Sequence, residues 1–524
     1  MKPGCLITTP QRRTLARICI ATVLLVVTII SSSVILTQHL SHDEHMYLSA
    51  AKMLSHGKPY VDFSYLQTPY MPFVYYLVMK ATQSESILLV GRVTQVSIII
   101  ALILVIFRLA SLLSSDMWFA LACVLLLLQS DIFLDSIGYA RNYDLPMLVV
   151  LVAGWLTFSM RSHPATSLIH AGSGFLVGLA IGTKLTYLLI PFAFGMLVLI
   201  NFGISKRSLT HLASFSLGLG IALLPAILLA LNAGIDRVWF NNLGYHSLNT
   251  TWRAQMGYTR TMSFFGKLSH AEQTLWTVPS QFLFALELFL LAVIVKEKRP
   301  IASILRAGSV LWCTALVTLS IPMLFIPTPI WKSYYLPLII FSVLLIASLY
   351  SQISLQIQTV ARLLAFVCVF LLIVPDLSGH ARLAWSAIHP ANWTSTRISK
   401  EGSAMRQAIP VEYHTRPVAT LSPVYALEAG LNIYPELATG PFAYRIGDLL
   451  SSEDIQRFHT ISPQYIGELL NQRPPSAILV GFEGELDKKL EDFAVQNSYG
   501  KREDVILGAT LYIRQHNHVD SNEE

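Results

Sequence analysis

The feature that most constrains the fold is a series of eleven long apolar runs separated by short polar segments. An α-helix needs about 20 apolar residues to cross a bilayer, and a spanning segment must satisfy its own backbone hydrogen bonds. The chain is 53% hydrophobic and 13% charged, with mean hydropathy +0.55, whereas a soluble domain carries roughly a quarter charged residues. A mainly α, polytopic membrane helical bundle of about 11 transmembrane helices is predicted. The runs are Leu15–Leu36, Ile87–Leu109, Met117–Leu134, Leu145–Met160, Ser167–Gly182, Tyr187–Phe202, Leu212–Leu231, Leu275–Val295, Ala302–Ile321, Leu336–Tyr350 and Val360–Val374.

Positive charges near the ends of these runs predict the topology. The basic segment before the first run is typical of an uncleaved signal anchor with a cytoplasmic N-terminus. Later Lys and Arg residues fall on the same predicted side, and the odd number of spans puts the C-terminus and the 38–86 loop outside. These charges set topology, so the net charge of +6 does not indicate a nucleic-acid partner. They are Lys2, Arg12, Arg13, Arg17, Arg108, Arg161, Lys206, Arg207, Lys296, Lys298, Arg299 and Arg362.

The chain divides into a membrane domain, 1–375, and a small soluble α/β domain, 376–524. The membrane domain includes a first outer loop at about 38–86 with interfacial helices. In the C-terminal domain, Val418–Leu421 and Ala477–Val480 are predicted as buried strands. Tyr425–Leu431 and Leu486–Asn497 are predicted as helices, and Val505–Arg514 as a final strand or hairpin. The sequence has no GxGxxG, P-loop or nucleophile elbow, which argues against a nucleotide-using soluble enzyme.

An acidic stretch, Ser41–Tyr47, follows the first apolar run and contains Asp43 and Glu44. Two carboxylates where a helix leaves the bilayer, followed by a loop rich in Tyr, Pro and His, indicate a site for a substrate that arrives from the lipid. A structural alternative is that Ser41-x-x-Glu44 is a capping box that begins an interfacial helix from about Glu44 to His56. That alternative accounts for Glu44 and leaves Asp43 unexplained.

Other charged and aromatic residues gather on the same predicted outer face, whereas the opposite face carries only topogenic positive charges. This asymmetry is the main functional signal that the residues give on their own. The residues are Asp135, Arg141 and Asp144 between the third and fourth runs, Lys184 after the fifth, Arg253, Arg260 and Lys267 in the loop after the seventh, and Trp331, Lys332, Tyr334 and Tyr335 before the tenth.

Several motifs together resemble the GT-C superfamily of membrane glycosyltransferases, most closely bacterial relatives of the protein O-mannosyltransferases and of the lipid A aminoarabinose transferase. They occur in family order over some 300 residues. The C-terminal segments Leu427–Gly430 and Tyr434–Glu436 are similar to segments in some of these relatives. The motifs are Asp43-Glu44-x-x-Tyr47, Gly57-x-Pro59-Tyr60-x-Asp62, Thr68-Pro69-Tyr70-x-Pro72, Asp144 at the start of the fourth span, Gly178-Leu179-Ala180-x-Gly182-Thr183-Lys184 with Pro191, and Lys332, Tyr334, Tyr335 and Pro337.

The resemblance implies an inverting glycosyltransferase of the bacterial inner membrane with its active site on the extracytoplasmic side. It would move a sugar from a polyprenyl-phosphate donor to a glycan, lipid or protein acceptor. The acceptor hydroxyl needs a carboxylate base, and the departing phosphate needs fixed cations. No cofactor is assigned, although Asp43 and Asp144 could hold a divalent cation. The implied residues are Asp43 as base, with Asp144 and Glu44 as further catalytic carboxylates; Lys184 with one of Arg253, Arg260 or Lys332 for the phosphate; and Tyr47, Tyr60, Asp62, Tyr65 and Tyr334 lining the substrate.

The sequence departs from the aminoarabinose transferases in the first outer loop. Where they carry an acidic-Lys-Pro segment, this chain has Gln67-Thr68-Pro69. A phosphate-contacting lysine and a candidate metal-binding carboxylate are therefore missing. This difference argues against aminoarabinose as the transferred sugar.

Alternatives remain for single residues and for the function. Arg141 could pair with Asp144, Lys184 could be an interfacial lysine that snorkels, and Lys332 could anchor an aromatic belt. His42 and His45 could hold a metal with Asp43 or be solvated. The alternative functions are a lipid-linked sugar transporter or flippase, an oligosaccharide ligase or polymerase, and a membrane-anchored binding protein.

Overall fold

The computed structural model describes residues 9–159, 166–300, 303–304 and 307–515, with side chains described from Thr14 onward. The membrane part contains eighteen described α-helices, most of them long and apolar. Some residues named in the sequence analysis lie outside the described part of the chain. They are the topogenic residues Lys2 and Arg161, the side chains of Arg12 and Arg13, and the run ends Met160 and Ala302. The helices are α1 Thr9–Thr37, α2 His42–Met53, α3 Tyr70–Thr82, α4 Ile87–Ser114, α5 Met117–Leu128, α6 Asp131–Ile137, α7 Asp144–Ser159, α8 Thr166–Thr183, α9 Ile190–Phe202, α10 Lys206–Ala233, α11 Ile235–Trp239, α12 Tyr245–Gln255, α13 Phe264–Leu275, α14 Val278–Lys296, α15 Gly308–Phe325, α16 Leu336–Tyr350, α17 Leu355–Ile373 and α18 Leu377–Ala387.

Every predicted apolar run corresponds to a helix, which confirms the polytopic helical bundle. Among the described residues, nine helical segments are long and apolar enough to cross a membrane. The third run is broken into α5 and α6, which meet at 73°, because the Ser130 hydroxyl accepts from the backbone N–H of Ile132 and starts a new helix. The fourth run forms the shorter α7. The last spanning segment continues from Leu355 to Ala387, past the predicted domain boundary at 375.

Helices α8 and α10 approach each other so closely that only glycine fits at the contact. A Cβ atom at Gly174 would lie 1.9 Å from the carbonyl oxygen of Phe215, and one at Gly218 would lie 1.9 Å from that of Ala171. Small residues let membrane helices pack backbone against backbone, where van der Waals contact replaces the missing hydrophobic driving force. The contact holds α8 against α10, and Lys184 directly follows the last residue of α8.

Helix α2 is held by a buried ion pair. Ser41 and Glu44 form the predicted capping box, so this part of the structural alternative is confirmed. The Glu44 carboxylate also pairs with Arg92 of α4 at 2.9 Å, and both side chains are fully buried. Arg92 donates further hydrogen bonds to the carbonyl groups of Ile35, Gln38 and other residues at the end of α1. The pair thus joins α1, α2 and α4 in one fixed arrangement.

The C-terminal region is a small α/β unit. Its four strands are β1 Val418–Thr420, β2 Ala477–Val480, β3 Gly500–Arg502 and β4 Thr510–Ile513, in the order β1-β2-β4-β3. Strands β1 and β2 are parallel and the other pairs are antiparallel, so the two predicted buried strands are confirmed, and the predicted final segment forms the strand β4. The helices are α19 Thr394–Ala408, α20 Pro423–Glu428, α21 Pro441–Ile446, α22 Ser452–Arg457, α23 Ile466–Gln472 and α24 Lys488–Gln496.

The C-terminal region caps the ends of two membrane helices. The Glu428 carboxylate accepts from the backbone N–H of Leu88 at 2.6 Å, in the first turn of α4. The Thr394 hydroxyl lies 3.1 Å from the carbonyl oxygen of Thr37, the last residue of α1. The first N–H groups and last C=O groups of a helix have no partners within it. The two side chains therefore satisfy backbone groups that α1 and α4 cannot satisfy themselves.

Candidate active site

A cavity of about 520 Å³ lies between α2, the segment after α8, α12, the segment before α16, and the C-terminal region. Six of the residues predicted for the site line it, drawn from parts of the sequence that are far apart. Charged and aromatic side chains make up much of its wall. The six are Asp43, Tyr47, Lys184, Arg253, Lys332 and Tyr334.

Asp43 lies in the first turn of α2, with 31% of its side chain exposed. Its Oδ2 accepts from Arg141 Nη1 at 3.4 Å, and Arg141 also contacts the Asp135 carboxylate at 3.4 Å. Arg141 therefore pairs with these two carboxylates, and the alternative in which it pairs with Asp144 is not observed. The arginine orients the Asp43 carboxylate while part of the carboxylate surface remains open to the cavity.

Lys184 follows α8 directly and lies against aromatic rings. Its Nζ is 3.7 Å from the ring centre of Tyr143 and 5.5 Å from that of Tyr334, and it donates to Asn142 Oδ1 at 3.3 Å. No carboxylate within the described part of the chain lies at ion-pair distance from Lys184. Burial lowers the pKa of Lys184 to about 7, because the ammonium loses its hydration. A cation without a counter-ion at a cavity wall is suited to bind an anion.

Asp144 begins α7 and is completely buried behind the cavity wall. Its Oδ2 accepts a hydrogen bond from Gln95 Nε2, whereas Oδ1 has no partner in the described structure. Across the described ranges, no group of three or more His, Cys, Asp or Glu side chains is arranged to hold a metal ion. Asp43 and Asp144 would therefore need ligands from water or substrate to bind a divalent cation.

The remaining predicted site residues lie outside the cavity. Glu44 is buried against Arg92. Successive residues of an α-helix are rotated by about 100° around its axis. Glu44 therefore faces the protein interior, whereas its neighbour Asp43 faces the cavity. Asp62 accepts from the backbone of Lys58 at 2.7 Å in the surface loop. Three more predicted residues are absent from the lining, namely Tyr60, Tyr65 and Arg260. Tyr60 donates to the Gln67 carbonyl group, and Tyr65 packs edge-on against Tyr47. Arg260 is exposed and donates a hydrogen bond to Gln273.

The C-terminal region contributes residues to the cavity that the sequence does not indicate. Arg445 of α21 lines it and donates from Nη2 to the Tyr245 hydroxyl at 2.9 Å. Glu483 lies 2.7 Å from His42 Nδ1, and this hydrogen bond raises the pKa of His42. His42 therefore binds a carboxylate of the C-terminal region, and His45 faces away and accepts from the backbone N–H of Val424. The sequence gives no sign of these pairings, because about 200 to 440 residues separate the two partners along the chain.

No protein-family model and no curated protein matches the chain. Among solved structures, it is similar to ArnT from Cupriavidus metallidurans bound to undecaprenyl phosphate, at 15% identity and TM-score 0.60 over 95% of this chain and 98% of that chain. The apo form of the same protein gives 15% identity and TM-score 0.56, over 96% and 98% of the two chains. The oligosaccharyltransferase from Archaeoglobus fulgidus in the apo form gives 12% identity and TM-score 0.47, over 94% and 75%.

ArnT is a lipid A aminoarabinose transferase and a membrane glycosyltransferase of the GT-C superfamily. The likeness to ArnT covers nearly the whole of both chains, including the membrane helices and the C-terminal region. At 15% identity it describes the course of the backbone and not the chemistry of the site. The chain therefore has the GT-C fold, as the order of its motifs predicts.

Proposed function

We propose that this protein is an inverting glycosyltransferase that moves a sugar from a polyprenyl-phosphate donor to a hydroxyl group of an extracytoplasmic acceptor. The observation that carries the proposal is that one cavity contains both a partly exposed carboxylate, Asp43, and an ammonium group, Lys184, that has no counter-ion among the residues that the structure describes. Transfer from a lipid phosphate to a hydroxyl group requires these two functions, a base and a phosphate-binding cation.

On the donor side, Lys184 and Lys332 would bind the phosphate. Lys332 lines the same cavity and lies two residues before Tyr334, whose ring is near Lys184 Nζ. The rings of Tyr143 and Tyr334 restrict the position of the ammonium group and exclude water from one side of it. Fixed cations stabilise the charge that develops on the departing phosphate without further reorganisation. The ArnT structure contains undecaprenyl phosphate, which supports a lipid phosphate of this class as donor.

On the acceptor side, Asp43 would act as the general base. The acceptor hydroxyl transfers its proton to the Asp43 carboxylate while its oxygen forms a bond to the anomeric carbon. The bond between that carbon and the phosphate oxygen breaks, and its electron pair leaves with the phosphate toward Lys184. Attack opposite the leaving group inverts the anomeric configuration. Arg141, hydrogen-bonded to Asp43, holds the carboxylate in position during this step.

The proposed orientation puts the cavity on the extracytoplasmic side of a bacterial inner membrane. The basic residues Lys206 and Lys296 lie at the start of α10 and the end of α14, whereas the cavity loops follow the other end of α10. An excess of Lys and Arg marks the cytoplasmic side. Reporter fusions in the loop at Asn249 and in the C-terminal region should be active outside, and a fusion at Lys298 inside. An inside result at Asn249 would contradict this orientation.

The deciding experiment is sugar transfer by purified protein from a defined polyprenyl-phosphate sugar. Asp43→Asn keeps the shape and the hydrogen bond from Arg141 but cannot take up the proton, so the rate should fall by roughly 10² to 10⁴. Asp135→Asn is the matched control, because Asp135 contacts the same arginine; it should keep most of the activity. Both variants should remain monodisperse in detergent.

Two results would contradict the proposal in different ways. Undiminished transfer by Asp43→Asn would remove this carboxylate from the mechanism. Movement of the intact donor across proteoliposomes, without release of polyprenyl phosphate, would instead support the flippase alternative.

A further inference from the structure

Two buried histidines lie against each other at the ends of α8 and α10 that are opposite the cavity. His170 is in the second turn of α8 and His211 in the second turn of α10. Their ring centres are 4.7 Å apart, the ring planes meet at 30°, and only 6% and 4% of the two residues is exposed. The close contact between Gly174 and Phe215 lies four residues farther along each helix. Backbone packing between α8 and α10 therefore holds the two rings in place.

Each ring has one nitrogen with a partner and one without. Nδ1 of His170 lies 2.9 Å from the carbonyl oxygen of Thr166 and must donate, because a carbonyl oxygen only accepts. Nδ1 of His211 lies 3.3 Å from the Ser167 hydroxyl oxygen. Both Nε2 atoms are buried and have no hydrogen-bond partner in the part of the chain that the structure describes. A histidine that carries its proton on Nδ1 has a lone pair on Nε2, so His170 has a buried, unpaired lone pair, and so does His211 when it donates to Ser167.

Metal-binding histidines have this same arrangement. A ligating histidine donates its second ring N–H to a carbonyl group or another acceptor, which fixes the ring and makes the ligating nitrogen more basic. Imidazole nitrogen binds Zn²⁺ at about 2.0 to 2.1 Å, so two rings on adjacent positions of one ion have centres roughly 4.5 to 5.2 Å apart. The distance of 4.7 Å between the two ring centres lies in this range.

The surroundings of the pair favour a transition metal over Mg²⁺ or Ca²⁺. The ring centre of Phe202 is 4.4 Å from that of His211 and 6.2 Å from that of His170, and no carboxylate in the described ranges pairs with either histidine. Imidazole suits Zn²⁺, Cu²⁺ and Ni²⁺, whereas Mg²⁺ and Ca²⁺ need oxygen ligands. Ser167 is partly exposed, so water can reach this end of α8 and fill the positions that two histidines leave open.

We propose that His170 and His211 form a binding site for a divalent transition-metal ion such as Zn²⁺ or Cu²⁺. The ion would link α8 to α10 at the end that the proposed orientation assigns to the cytoplasm. This inference goes beyond the proposed function, because the site binds neither the sugar donor nor the acceptor. It gives α8, whose other end leads to Lys184, a second attachment to α10 in addition to the glycine contact.

The test is metal binding by the full-length protein, purified in detergent without a polyhistidine tag and stripped with a chelator. Zn²⁺ at about 100 times its Kd should raise the apparent Tm by roughly 2 to 3 °C, given the unfolding entropy of a chain of 524 residues. Mg²⁺ should leave the Tm unchanged. Cu²⁺ in place of Zn²⁺ should give an electron paramagnetic resonance spectrum with hyperfine splitting from two imidazole nitrogens.

Two variants locate the ion. His170→Phe and His211→Phe each keep an aromatic ring and remove a ligating nitrogen, so each should abolish the Zn²⁺ effect and the two-nitrogen Cu²⁺ spectrum. His56→Phe is the matched control, because His56 is exposed after α2, and it should keep both. A Zn²⁺ effect that persists in both phenylalanine variants would place the ion elsewhere and overturn the inference.

The wild-type measurements decide the question even where a variant folds poorly. A wild-type protein with no Tm increase in Zn²⁺ and no two-nitrogen spectrum in Cu²⁺ would also overturn the inference. None of these measurements uses sugar transfer, so their outcome is independent of the proposed function.

Discussion

Replacing Glu44 with glutamine separates a structural carboxylate from a catalytic one. Glu44 Oε1 accepts from Arg92 Nε at 3.0 Å and from the backbone N–H of Ala140 at 3.1 Å. Its Oε2 accepts from Arg92 Nη2 at 2.9 Å and from the backbone N–H of Ser41 at 3.0 Å. A glutamine has only one carboxamide oxygen, so in either orientation its NH₂ group would face two donors. Glu44→Gln should therefore weaken the fold and leave the chemistry of the cavity intact.

The size of the effect follows from these contacts. Each donor left unpaired in a buried site costs about 1 to 3 kcal/mol, and the Arg92 charge loses its only carboxylate partner among the described residues. Breaking a buried ion pair by removing one partner typically costs about 3 to 5 kcal/mol. With an unfolding entropy of about 2.1 cal/mol/K per residue over 524 residues, an apparent Tm lower by roughly 3 to 5 °C is expected.

The assay is thermal unfolding of detergent-purified protein, combined with transfer activity per folded molecule at low temperature. Glu85→Gln is the matched control, since Glu85 is exposed just before α4 and should leave the Tm unchanged. Glu44→Gln should unfold early yet retain activity while folded. An unchanged Tm together with a large loss of transfer would refute this reasoning and return Glu44 to the catalytic carboxylates.

Two further predictions concern helix packing and donor binding. Gly218→Ala should lower the Tm, because its Cβ would meet the carbonyl oxygen of Ala171 and such overpacking costs about 1 to 3 kcal/mol. Gly220→Ala on the same helix is the control and should leave the Tm unchanged, because no atom lies within 4 Å of its Cβ position. Equal Tm values for the two variants would contradict the close contact between α8 and α10. Because a lysine is charged below its pKa, and that of Lys184 is about 7, affinity for polyprenyl phosphate should fall as pH rises through this value. Lys184→Arg stays charged and should remove that part of the pH profile; a profile identical to wild type would show that Lys184 does not bind the phosphate.

The sequence predicted the membrane helices well, because length and apolar composition alone decide whether a segment can span a bilayer. The bend between α5 and α6 was not predicted. It depends on the local hydrogen bond of Ser130, which competes with helix continuation inside an otherwise apolar run. Asp43, Lys184 and Lys332 could be predicted to lie together because each is next to the end of a helix, and the order of the spans brings these ends to one face of the bundle.

The choice between Asp43 and Glu44 could not be made from the acidic stretch alone. Both are carboxylates in the first turn of α2, and the side on which each lies depends on what packs against the helix. Arg92, which lies inside an apolar run, could have indicated that one of the two carboxylates is structural, since a charged residue within a membrane span usually pairs with a group of opposite charge. Arg445 gave no comparable signal, because its place at the cavity depends on how the C-terminal region docks.

The capping of α1 and α4 by Thr394 and Glu428 has a consequence for biogenesis. Both helices are synthesised and inserted long before these two residues exist, because the chain is made from its N-terminus. Until then the amide of Leu88 and the carbonyl group of Thr37 need other partners, such as interfacial water. The membrane part therefore reaches its final form only after the C-terminal region has been synthesised and has folded. A truncation in the C-terminal region should for this reason be sensed by quality-control proteases as a defect of the first membrane helices.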